Sequence, residues 1–74
     1  MKPYFVHIST EGAPFSSVID YWSEEQARGY AEWRWDRLSK KDKPRTRITV
    51  GKIIGQDGDA LKYEVLDTLQ EASA

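Results

Sequence analysis

"SEEQARGYAEWRWDRL", residues 23–38, decides how this chain folds, because its apolar residues recur at helical spacing. Ser23, followed three residues later by Gln26, is a capping-box signature in which a hydroxyl and an amide satisfy the first backbone donors of a helix. Glu24 and Glu25 suit the positive end of the helix dipole. Lys40 and Lys41 suit its negative end, and Pro44 disfavours helix in the residue before it. The spacing predicts a helix over about residues 24–41.

With about 100° between neighbours, Ala27, Ala31 and Leu38 fall on one stripe, with Tyr30 and Trp35 on its shoulders. Two alanines let such a helix sit close to a sheet. Trp33 then points outward, among Glu25, Gly29, Glu32, Asp36 and Lys40. The competing rotation, centred near Tyr30 and Arg34, buries Trp33 and exposes Trp35. It also requires Arg34 to bury its charge or stretch its head to water.

Strand patterns flank the helix. Residues 4–10 (YFVHIST) place Tyr4, Val6 and Ile8 on one side and Phe5, His7 and Ser9 on the other. Glu11-Gly12-Ala13-Pro14 supplies a turn, and residues 15–22 read as a second strand completing a hairpin. Beyond the helix, residues 45–54 alternate until Gly51, where a bulge or register shift is expected. Gln56-Asp57-Gly58-Asp59 is a hairpin turn, because Asp-Gly tolerates positive φ. Leu61, Tyr63 and Val65 then oppose Lys62 and Glu64 along a fourth strand, and residues 67–74 are expected to fray or form a short helical turn.

The order is ββαββ: an α+β domain with a four-stranded antiparallel sheet and one helix packed on one face. A single helix leaves the other sheet face uncovered, and the alternation assigns that face Phe5, His7, Arg47, Thr49, Lys62 and Glu64.

At 74 residues there is room for one small domain, and the lack of cysteine excludes disulfides and thiolate metal sites. No apolar run of signal-peptide or membrane-helix length occurs, so a soluble cytoplasmic protein is the expectation. Charge is balanced at −1 overall but unevenly placed, cationic across residues 40–47 and anionic towards the end.

Catalytic chemistry finds little support. His7 is the one histidine, and although Ser9, Thr10, Ser16, Ser17 and Asp20 could meet it across the first hairpin, no motif fixes that geometry. Glu24 with Glu25 serves the helix dipole, and Asp57 with Asp59 makes a turn. The glycines match neither a phosphate loop nor a dinucleotide fingerprint. A non-enzyme without metal, cofactor or membrane association is expected.

The distinctive feature is the outward tryptophan. Gly29, Trp33, Arg37 and Lys40 share one helical strip, which runs into a basic stretch carrying Lys41, Lys43, Arg45 and Arg47. Gly29 costs a helix about 0.5–1 kcal/mol relative to alanine and could leave a ledge beside the indole. The plainer account is an indole lying against Arg37 in a cation–π contact worth about 0.5–1 kcal/mol. Tryptophan and arginine are enriched at binding hot spots, so the strip is a candidate contact for a protein partner or a second copy. The functional expectation is a small protein-binding module, a regulator or inhibitor of a larger complex, such as phages and mobile elements direct against a host. The alternative is a nucleic-acid-binding accessory protein using KKDKPRTR and the open sheet face, although an isoelectric point near 5.7 weighs against it.

Overall fold

Val6 and Ile8 point to one side of strand β1 (Tyr4–Thr10) and are buried, while Phe5 and His7 point to the other. That division organises the molecule. A computed structural model describes residues 2–71 and shows β1, β2 (Ser17–Tyr21), helix α1 (Glu24–Arg37), a 3-10 turn (Lys43–Arg45), β3 (Thr46–Asp57) and β4 (Ala60–Gln70). The sheet order is β2-β1-β3-β4 with every pairing antiparallel, so the predicted ββαββ, one-helix architecture is the observed one.

The helix lies across one sheet face. Ala27 and Ala31 are buried with Val6, Ile8, Ile48 and Val50. Tyr4, Tyr21, Tyr30, Trp35, Leu38, Leu66 and Leu69 close the rim of this small core. Ser23 caps the helix as its spacing predicts, its Oγ accepting from the Gln26 amide at 3.2 Å. The C-terminal end differs from expectation: the helix stops at Arg37 rather than near residue 41. Leu38 becomes extended and turns onto the core, while Ser39 captures the next segment. Its carbonyl accepts from the Asp42 and Lys43 amides, and its hydroxyl accepts from Asp42 as well. Lys40 and Lys41 therefore belong to a turn.

Two further expectations are corrected. The second strand spans only Ser17–Tyr21, leaving Phe15 in the preceding loop and Trp22 beside the helix cap, both exposed. Residues 67–70 are strand, not a helical turn, because Thr68, Leu69 and Gln70 pair with Thr49, Ile48 and Arg47. The last predicted positions, residues 72–74, lie outside the described residues.

A bulge decides what the uncovered face carries. Val50 pairs with Asp67, but Gly51 pairs with Val65, so Leu66 is an extra residue on β4. One inserted residue exchanges the sides of everything before it. Leu61, Tyr63 and Val65 consequently occupy the open face, whereas Lys62 and Glu64, expected there, take the helix side. A second irregularity at Ile53–Gly55 makes Ile54 the extra residue on β3. Beyond Lys52, the last β3 residue paired with β1, the hairpin continues to its Gly58 turn as a ribbon of two strands. This projection gives the molecule a 38 Å long axis against 24 and 21 Å.

Candidate functional site

Trp33 and Trp35 divide as the first helical rotation requires. Trp35 packs against the core rim with the Lys43 ammonium 5.7 Å from its ring centre. Trp33 is 50% exposed. Its ring stacks on Tyr30, centroids 5.9 Å apart, and the Arg37 guanidinium sits 4.3 Å above it. Three- and four-residue spacings build this column, so the cation–π contact is formed within the helix itself. Arg34 is half-buried, and its Nε finds no hydrogen-bond partner among the described residues.

The basic residues do not converge beside that column. Lys40 and Lys41 are exposed in the Ser39 turn, and Lys43 covers Trp35. Arg45 is held by Asp42 at 3.1 Å, in a pair that keeps the Asp42 carboxyl below the usual carboxylate range, with the Ser39 hydroxyl assisting. Arg47 points from β3 into the open face, on the opposite side of the sheet from the helix. Gly29 is exposed, and a methyl group placed on it would meet nothing within 4 Å, so the indole makes no ledge with it.

Apolar side chains gather instead on the uncovered sheet face. Val18 on β2 opposes His7, Phe5 on β1 opposes Gly51, and Val65 and Tyr63 follow on β4. Phe5 lies over the bare Gly51 backbone and meets Tyr63 edge-on, centroids 5.6 Å apart and planes at 85°. Leu61 extends the surface along the ribbon. Together they line a shallow trough of about 780 Å³ with Asp20 at the β2 side and Arg47 towards one end. Val18 is 60%, Tyr63 59% and Val65 51% exposed, values typical of surface rather than core positions. Sequence reasoning placed Phe5, His7, Arg47 and Thr49 here correctly. It missed the β4 contribution, because alternation identifies a strand without saying which side faces the core.

Among the described residues no group of three or more histidines or acids is arranged to hold a metal, and no helix is long and apolar enough to cross a membrane. His7 stands between Val18 and Thr49 in the ladder, while Asp20 stands opposite Phe5. Comparison of the chain with protein families, curated proteins and solved structures finds no match.

Proposed function

We propose that this chain is a non-enzymatic protein-binding module whose contact surface is the uncovered sheet face rather than the Trp33 strip. The carrying observation is that Val18, Phe5, Val65, Tyr63 and Leu61 are exposed or line one trough across the sheet, with Phe5 and Tyr63 in direct contact. Contiguous apolar surface rimmed by polar groups is characteristic of interaction sites.

The complementary partner surface has an apolar centre, a basic group opposite Asp20 and an acidic group opposite Arg47. A regulator or inhibitor of a larger complex fits a domain of this kind, acting in a reducing compartment such as the cytoplasm. Binding of single-stranded nucleic acid is the second reading, favoured by Phe5 and Tyr63 beside Arg47 on one open sheet. It ranks lower because the cations of residues 40–47 face different directions.

The test is partner capture from cell lysate with the parent, Val18→Glu and Trp33→Ala proteins, with and without nuclease. A protein retained by the parent and Trp33→Ala but lost with Val18→Glu supports the sheet-face reading, provided the purified binder slows hydrogen exchange in β1 and β4. Loss with Trp33→Ala alone returns the site to the helix. Recovery that depends on nucleic acid and falls steeply between about 50 and 200 mM salt supports the second reading.

A further inference from the structure

We infer that the β4 edge is a self-recognition strand, pairing antiparallel with β4 of a second copy about a two-fold axis at Tyr63. This inference rests on the sheet edge and its charges; Leu61, Tyr63 and Val65 at that edge also border the proposed partner surface, whose far side at Val18 distinguishes the two.

The two edges of the sheet are unlike. β2 is short, with five residues, whereas β4 presents eleven and contains neither proline nor glycine. Among the described residues β4 pairs only with β3, so its outer row of backbone groups is open to a further strand. Natural sheets blunt such edges with proline, short strands, bulges or charges. β4 is long and proline-free, its bulge at Leu66 lies outside the ribbon, and its helix-side charges there, Lys62 and Glu64, are of opposite sign, so they oppose a foreign strand but suit a second copy of β4. The exposed part is also the ribbon beyond β1, where only two strands support each other. Two-stranded ribbons are marginal in water, and a second ribbon laid alongside makes four strands.

The side chains select one register. With the axis at Tyr63, each Lys62 stands opposite Glu64 of the other copy, Leu61 stands opposite Val65, and the two Tyr63 rings meet. Unlike charges then face each other twice on the helix side, and apolar residues face each other on the open side. Moving the axis one residue either way sets Lys62 against Lys62 or Glu64 against Glu64. Moving it half a residue places open-face side chains opposite helix-side ones. Within its own chain Lys62 lies across from Gly55, so its cross-strand position offers no partner for the ammonium. The proposed pairing supplies one.

The chain has no cysteine, so single thiols report the register cleanly. Directly opposed strand residues have Cα atoms about 4.5–5.5 Å apart, within the disulfide range. Under mild oxidation Tyr63→Cys is expected to give covalent dimers. Leu61→Cys is not, because its two-fold mates are four residues out of register, about 13 Å apart. Sedimentation of the parent over a concentration series is expected to show monomer–dimer exchange. Lys62→Glu should weaken that association about tenfold by turning two attractive pairs repulsive. The exchanged pair Lys62→Glu/Glu64→Lys should restore it. Circular dichroism matching the parent keeps each result a statement about association.

A parent that stays monomeric throughout overturns the inference. So does equal cross-linking of Leu61→Cys, or unchanged association of Lys62→Glu. Val18→Glu, on the far edge, is expected to leave the dimer intact, so failure of the partner-binding proposal is read separately.

Discussion

The Phe5 ring occupies the space that a side chain on Gly51 would need. A Cβ at that position would stand 2.6 Å from Phe5 Cε1, so the glycine is what allows the ring to lie across β3. Gly51→Ala should therefore cost about 1–3 kcal/mol, measured by urea unfolding. In a Phe5→Ala background the same change should cost little, giving a coupling energy between the two sites. An equal cost in both backgrounds would mean that the ring does not set the requirement.

Gly29 presents the opposite case. Its position in α1 is helical and open, with nothing for a methyl group to strike. Gly29→Ala is expected to stabilise the protein by about 0.5–1 kcal/mol through the lower entropy of the unfolded chain. A rise in the thermal midpoint without loss of partner capture would also separate this glycine from function.

Asp42 links stability to acid pH. Arg45, and after it the Ser39 hydroxyl, lower the Asp42 pKa in the folded state. A depressed folded pKa means that the contribution is present above the unfolded value and disappears as pH falls through the folded one. Carboxyl chemical shifts should show Asp42 titrating below about 4, where an unperturbed aspartate titrates. In Arg45→Gln the midpoint should move up. A midpoint unchanged by that substitution would assign the shift elsewhere.

Local signals in the sequence were the ones that could be read without a partner strand. Ser23 and Gln26 mark the helix start because their capping interaction is contained within one turn. Ala27 and Ala31 mark the buried stripe, and the Trp33–Trp35 division follows from it. The helix end was not legible from its lysines, since Ser39 offers the backbone a competing turn. Nor was the side of β4 legible: the alternation of residues 61–65 is the same whichever way it faces, and Leu66 reverses it only through pairing with β3. That reversal moved the candidate site. A reading of alternation gave β4 a charged outer face, whereas the bulge gives it Leu61, Tyr63 and Val65.

The order β2-β1-β3-β4 also constrains how the molecule assembles. The hairpins β1–β2 and β3–β4 can each zip from a nearby turn, but the central β1–β3 seam joins Thr10 to Thr46, 36 residues away. Closing a loop of that length costs about 3 kcal/mol in chain entropy before any pairing across it is gained. Since Val6, Ile8, Ile48 and Val50 all lie on that seam, neither hairpin owns a core. Productive folding therefore waits on the encounter of the two halves, and α1, which tethers them, sets how often they meet.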